Sequence, residues 1–273
     1  MSGRDALTLA LKPSFDLTLA SLAQGEGVLD VRIELTEAPS PEVLEGLEGN
    51  LEVFFEAAAR GVLAGRSVRP VLQEGLGMDH DGRFQFFLGP SPRHVRCCMS
   101  GIAVDPRALT ILLNKLICVS ELLARIQSVR LGCGRATWPV LPALRVDAAQ
   151  TSYPGLFAPL PFAYEERLSS GYYDAAALTM IFARPCTEAE LEVLSLGFES
   201  WTLLALQGGY ISPPYSPRGS FFIAPGGEPR VLDEEVEWRI EKFRVDEEAL
   251  VGLVNLLVAF HDRHNRLVHL SIT

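Results

Sequence analysis

Histidine and carboxylate residues cluster near the end of the sequence, in the segment FHDRHNRLVH. His261 and His264 are three positions apart, which on a helix brings both side chains to one face, where they could bind a metal ion. The segment falls at a predicted helix end, however, where histidine and arginine interact favourably with the helix dipole. We therefore interpret these histidines, with Asp262 and His269, as a solvated helix end and predict no metal site.

A second polar group, Asp79, His80 and Asp81, occurs in the segment GMDHDG. Aspartate and glycine are typical turn residues, and no second histidine lies close in sequence to complete a ligand set. We interpret this segment as a turn.

Motifs for nucleophilic catalysis or phosphate binding are absent. The sequence has no GxSxG, GxxxxGK[ST], GxGxxG or HExxH pattern. The segment GCGRAT (Gly132–Thr137) lacks the lysine and the helix of a phosphate loop, and Cys133 could act as a nucleophile only beside a histidine. The five cysteines form no CxxC pair, which favours free thiols over a disulfide framework. We predict no catalytic residue and no cofactor.

The loop Gly208–Ser220 (GGYISPPYSPRGS) is the most distinctive predicted surface segment. Tyrosine and arginine are enriched at binding hot spots, and prolines stiffen the loop that would present them. We predict that Tyr210, Tyr215 and Arg218 contact a partner, together with Trp138 and Tyr153 from an aromatic segment upstream.

One stretch of the chain occurs twice. Val104–Leu131, moved forward by 141 positions, aligns without a gap with Val245–Ile272, and eight of the 28 positions are identical. An internal repeat indicates two copies of one module. The identical pairs include Asn114/Asn255 and Arg125/Arg266, and we expect the paired asparagines to make either a buried hydrogen bond or a shared cap contact.

The same order of elements is predicted in both halves. In the first, a strand at Val28–Thr36 precedes a helix that Ser40 caps and Gly65 ends. Two strands and the repeated helix and strand follow. The predicted strands are Phe84–Leu88, Val95–Ala103 and Ile126–Leu131, and their counterparts are Ala177–Phe182, Ser220–Ala224, Val236–Phe243 and the end of the chain.

This β-α-β-β-α-β order predicts an α+β fold of two tandem ferredoxin-like (βαββαβ) modules. Right-handed crossovers place both helices of a module on one face of an antiparallel sheet. We predict a first module at 1–133 with an N-terminal strand extension, a connector rich in aromatic residues and proline at 134–172, and a second module at 173–273.

Composition limits the class of partner. The chain of 273 residues has a net charge of −10 and a pI near 5.1, whereas nucleic-acid-binding domains are usually basic. No secretory signal and no apolar run long enough to cross a membrane are visible. We predict no nucleic-acid partner, no membrane partner and a cytoplasmic location, and the residue usage suggests a bacterial source.

These features favour a non-catalytic protein-binding module of the immunity, inhibitor or adaptor type. Two alternatives remain. The tandem arrangement resembles that of amino-acid-binding ACT domains, which would imply a small-ligand sensor with a site between the modules. It is also similar to the dimeric α+β barrel proteins, which would imply an enzyme and, in some members, haem.

Overall fold

The computed structural model describes eleven segments: residues 6–9, 12–22, 28–63, 83–101, 106–134, 143–146, 160–166, 175–210, 224–225, 228–241 and 247–273. They contain four α-helices, a five-stranded and a six-stranded mixed sheet, and one parallel pair of strands, so the fold is α+β. The helices are α1 (Pro41–Ala59), α2 (Pro106–Leu122), α3 (Glu188–Leu206) and α4 (Glu247–Arg263). The strands are β1 (Ala6–Leu9), β2 (Asp16–Leu22), β3 (Val28–Leu35), β4 (Phe84–Leu88), β5 (His94–Ser100), β6 (Ile126–Gly134), β7 (Ala143–Val146), β8 (Ala163–Glu166), β9 (Ala175–Phe182), β10 (Ala224–Pro225), β11 (Arg230–Leu232), β12 (Glu235–Glu241) and β13 (Leu267–Ile272).

The first sheet has the strand order β2-β6-β3-β5-β4. Its apolar face is built by alternate residues that are almost fully buried, as in β3, where Leu29, Val31 and Ile33 are buried. Helix α1 packs on this face, since the rings of Phe55 and Phe84 lie 5.7 Å apart. The residues between these buried ones therefore point to the opposite face of the sheet.

The second sheet has the equivalent order β10-β12-β9-β13-β8, and β11 also pairs with β12. Helix α4 contacts β9 through the rings of Phe182 and Phe260, at 5.5 Å, and α3 contacts β12 through Phe198 and Trp238, at 3.9 Å. Both helices thus cover one face of this sheet as well.

Each sheet has a parallel edge strand in addition to the predicted four-stranded antiparallel core. β2 pairs in parallel with β6, and β8 pairs in parallel with β13, so both sheets are mixed and the prediction of purely antiparallel sheets is wrong. The alternation of Leu17 and Leu19 with Asp16 and Thr18 is typical of a strand. The predicted four-stranded sheet did not include β2.

The two sheets also share their irregularities. In the first, Glu34 lies opposite Ser128 and Leu35 opposite Ile126, which leaves Gln127 as an extra residue. In the second, Ile181 lies opposite His269 and Phe182 opposite Leu267, which leaves Val268 as the extra residue. Gln127 and Val268 are aligned in the sequence repeat. A β-bulge at matching positions places both sheets in the same register on either side of it.

Helix ends follow the predicted caps, with one correction. The Ser40 hydroxyl accepts a hydrogen bond from the Val43 N–H, and Thr187 and Glu190 form a reciprocal capping box at the start of α3. Helix α1 does not continue to Gly65. It ends at Ala59 because Gly61 takes a left-handed conformation, with φ of 87°.

The chain divides into two compact units that interleave in sequence. The first comprises Met1–Ala59, Leu63–Gln150 and Gln207–Gly219, and the second Arg60–Val62, Thr151–Leu206 and Ser220–Thr273. Strands β7 and β8 both fall within the predicted connector 134–172; β7 pairs with β1, and β8 joins the second sheet. No helix in the described segments is long and apolar enough to cross a membrane.

Candidate functional site

Three arginines lie side by side on the face of the first sheet that points away from the helices. Arg32 of β3 is directly opposite Arg96 of β5 on one side and Arg130 of β6 on the other. The side chains of Arg32 and Arg96 are 51% and 40% exposed, and Arg130 is also exposed. We call these three residues the arginine row.

A buried carboxylate holds two of these arginines. Asp30, whose side chain is 5% exposed, accepts hydrogen bonds from the Arg32 Nε at 2.9 Å and the Arg96 Nε at 2.7 Å. The Cys98 thiol also lies 3.5 Å from the carboxylate. Burial alone would raise the pKa of Asp30, but the hydrogen bonds from Arg96 and Arg32 outweigh it and hold this pKa below its usual value. The carboxylate therefore stays ionised and fixes both guanidinium groups.

One apolar side chain, that of Phe87, borders the row at the sheet edge. The guanidinium carbon of Arg96 lies 5.4 Å from the ring centroid of Phe87, a cation–π contact that further orients Arg96. Phe87 lies directly opposite Arg96 and is 38% exposed. The face thus combines exposed arginine with exposed apolar surface.

The next row along the same face is acidic. Glu34 accepts a hydrogen bond from the Ser128 hydroxyl, at 3.2 Å, and lies 3.8 Å from the His94 ring. Asp16 of β2 is opposite Ser128 and is exposed. The arginine row is therefore bordered by acidic residues on one side.

The second sheet lacks the arginine row. Thr179, Glu237 and Ser271 lie side by side in its register, and they align with Arg32, Arg96 and Arg130, respectively. Ala177 stands where the first sheet has Asp30. At this row, the first sheet therefore presents three arginines and the second sheet a single glutamate and two hydroxyl residues.

A second polar cluster is buried in the first unit. Lys115 of α2 is 1% exposed, and its ammonium donates hydrogen bonds to the side-chain oxygens of Gln207 and Asn50. Burial lowers the pKa of Lys115 to about 7. The neighbouring Asn114 donates to the Gly209 carbonyl at 3.2 Å, which confirms the buried hydrogen bond predicted for this residue.

The second copy has an apolar pair in place of this cluster. Leu256 aligns with Lys115, and Gly197 of α3 aligns with Asn50 of α1. A Cβ atom on Gly197 would lie only 2.6 Å from the Leu256 Cδ1 atom, so this leucine fills the space beside the glycine. Asn50 and Lys115 thus replace a glycine–leucine contact between the two helices.

Of the five predicted binding residues, Tyr210 lies in a segment that the structure describes. The Tyr210 side chain is 1% exposed, so it belongs to the packed interior and not to a surface loop as predicted. Tyr210 lies in the turn that follows α3, and in this turn the chain still packs against the core. Tyr215, Arg218, Trp138 and Tyr153 lie outside the described residues.

The clustered histidines make ordinary structural contacts. The His261 Nδ1 atom is 3.1 Å from the Leu267 carbonyl oxygen, and its ring lies 6.0 Å from that of Phe162. The His264 ring packs against Phe260 at 5.2 Å. Within the described segments, no group of three histidine, cysteine or carboxylate side chains is placed to hold a metal ion. Asp79, His80 and Asp81 lie outside these segments.

A small depression of about 290 Å³ lies on the second unit. Its lining is mainly apolar, and Arg266 is the charged residue in it. No acid–base pair lies in this lining, which comprises Leu160, Pro161, Phe162, Ala163, Ala183, Arg266, Leu267 and Val268.

Sequence reasoning identified the polar side of β3 but missed the arginine row. The alternation of Asp30, Arg32 and Glu34 with apolar residues was visible, and it placed these side chains on the solvent side. Their meeting with Arg96 and Arg130 depends on strand register, which the sequence does not give. No protein-family model matches this chain, and no curated protein matches it either.

Proposed function

We propose that this chain is a non-catalytic, bacterial protein-binding module of the immunity, inhibitor or adaptor type. The single observation that carries the proposal is the polar face of the first sheet, where the arginine row lies beside the exposed side chain of Phe87. Arginine and aromatic residues are enriched at protein–protein interfaces. A preoriented arginine next to apolar surface is a typical binding hot spot.

We further propose that each half is a ferredoxin-like module and that the two arose by duplication. Without the added edge strand, both sheets have the order last–first–third–second that the βαββαβ motif produces. The matching bulges support this relationship. So do two equivalent hydrogen bonds, from the Thr36 N–H to the Arg125 carbonyl and from the Ala183 N–H to the Arg266 carbonyl.

The sensor and enzyme alternatives have weaker support. Both need a pocket with convergent polar groups. The depression on the second unit has one charged lining residue, and Lys115 is enclosed by packed side chains. We therefore base the proposal on the sheet face.

Site-specific photo-crosslinking in the cells that make the protein tests this function. We expect a benzoylphenylalanine at position 87 to crosslink to one discrete protein. The same probe at position 122 is the control, because Leu122 is 63% exposed on α2, away from the sheet face. Equal crosslinking from both positions, or co-purification of a small molecule with no crosslinked protein, would contradict the proposal.

A further inference from the structure

We propose that the arginine row binds the carboxylates of an acidic segment of the partner protein. This inference rests on the proposed function and specifies the chemistry of its binding face. Arginine is suited to this task because its planar fork of N–H groups matches the two oxygens of a carboxylate.

Donors remain available on the row. Asp30 occupies the Nε of Arg96, which leaves the terminal nitrogens of that guanidinium for a bound carboxylate. Asp30 also occupies the Nε and one terminal nitrogen of Arg32. Arg130 forms no ion pair with any residue in the described segments. With one carboxylate against three guanidinium groups, the row has a local excess of positive charge in a chain whose net charge is −10.

The row is held in place before any partner binds. The buried Asp30 carboxylate fixes two of its members, and Phe87 packs against Arg96. Preorganisation of this kind reduces the side-chain entropy lost on binding. A guanidinium that is already oriented therefore binds a carboxylate more tightly than a flexible one.

The spacing of the row suits an extended acidic segment. Neighbouring strands lie about 4.8 Å apart, so Arg96 and Arg130, on either side of Arg32, are separated by about 10 Å. An extended chain advances about 3.3 Å per residue, so acidic residues two or three positions apart would reach both outer arginines.

The fold itself does not require the arginines. At the equivalent positions the second sheet has Thr179, Glu237 and Ser271, and it forms the same ladder with the same bulge. Three like charges directly across adjacent strands also disfavour pairing. Because the second sheet forms without such a row, the arginines are best explained by a ligand.

The surroundings favour a protein carboxylate over nucleic acid. A nucleic acid presents a long run of phosphates and needs a broad basic surface. Here the row is bordered by Glu34 and Asp16, which would repel a polyanion that extended past it. A short acidic segment would avoid them.

Binding of a labelled oligoglutamate peptide to the intact protein, measured by fluorescence anisotropy, tests the inference. We expect oligoglutamate to bind, more weakly as salt is added, and oligoglutamine not to bind. R130Q and R96Q should each raise the Kd about tenfold, which corresponds to about 1.4 kcal/mol. R239Q is the matched control, since Arg239 is an exposed arginine on β12, and it should leave the Kd unchanged. Circular dichroism checks that each variant is folded.

Several results would overturn the inference. One is an equal Kd for R130Q and R239Q. Tighter binding of oligothymidylate than of oligoglutamate, with the same sensitivity to R130Q, would identify a nucleic-acid site instead. Self-association in sedimentation that R130Q abolishes would identify a second copy of this chain as the occupant. If position 87 crosslinks a protein but oligoglutamate does not bind, the proposed function stands and this inference fails.

Discussion

At the scale of the residue, Lys115 is the least expected feature of the chain. A lysine is rarely fully buried without a carboxylate partner, and here amide oxygens from Asn50 and Gln207 take that place. These two amide oxygens accept hydrogen bonds from the ammonium but do not neutralise its charge. The cost of burial therefore appears as the lowered pKa.

We predict that Lys115 makes stability depend on pH. Its pKa is about 7 in the folded state against 10.5 for the ordinary side chain, so the unfolded chain binds more protons between these values. The free energy of unfolding should then rise with pH from 7 to 10.5, by on the order of 4 kcal/mol from this group. In urea titrations, the stability gain of K115M over wild type should shrink as pH rises. A constant difference would contradict the lowered pKa.

The Gly197–Leu256 pair aligns with Asn50 and Lys115, so the residues of one pair can be exchanged for those of the other. N50G/K115L should be more stable than wild type at pH 7, because it removes a buried charge and restores the apolar contact. L256K places an ammonium beside Gly197, which stands where the first unit has Asn50, and should be strongly destabilised. An L256K variant with wild-type stability would show that amide oxygens are not what allows Lys115 to be buried.

Glu190 gives a pH dependence of the same sign, but in an acidic range. Hydrogen bonds from Arg184, together with those from Thr187, lower its pKa to about 2, against 4.5 for the ordinary side chain. Its contribution to stability is therefore present above pH 4.5 and is lost as pH falls towards 2. We expect E190Q to flatten acid unfolding in this range. E188Q, in the same first turn, is the control and should keep the wild-type profile.

At the scale of the element, two helical glycines differ in the space that a larger side chain would find. A Cβ on Gly197 would meet the buried Leu256, whereas a Cβ on Gly49 of α1 would have no atom within 4 Å. G197A should lower the free energy of unfolding by about 1–3 kcal/mol through overpacking. G49A should raise it by about 0.5–1 kcal/mol, because alanine favours the helix. Chemical denaturation measures both, and a stabilised G197A would contradict the close approach of α3 and α4.

At the scale of the whole molecule, the chain is two similar sheet–helix units with different polar faces. Leu112 of α2 and Leu253 of α4 align in the repeat, and both are fully buried. We expect L112D and L253D each to lower the free energy of unfolding by about 3–5 kcal/mol, because each buries an unpaired charge. Hydrogen exchange should show the first loss of protection in the unit that carries the substitution.

The exposed position at the end of α2 supplies the control for this pair. Leu122 is 63% exposed, so L122D should change stability little. Wild-type stability of either L112D or L253D would count against equivalent buried helices in the two units.

The sequence alone was sufficient for most of the secondary structure. The periodicity of Leu29, Val31 and Ile33 indicates a strand, and Ser40 and Thr187 mark helix starts, because burial and capping act over a few neighbouring residues. The internal repeat also predicted two similar halves, because similar segments form similar elements. The parallel edge strands were not predicted, since pairing partners lie more than a hundred residues apart.

The tertiary structure alone decided which side chains meet. Strand register brings Arg96 and Arg130 beside Arg32, and helix packing encloses Lys115 between Asn50 and Gln207. Neither contact has a local pattern, because each joins residues that are distant in sequence. The sequence thus determined most of the elements and predicted that they form two similar sheet–helix units. The charge of the candidate site depends on long-range pairing, which only the folded chain specifies.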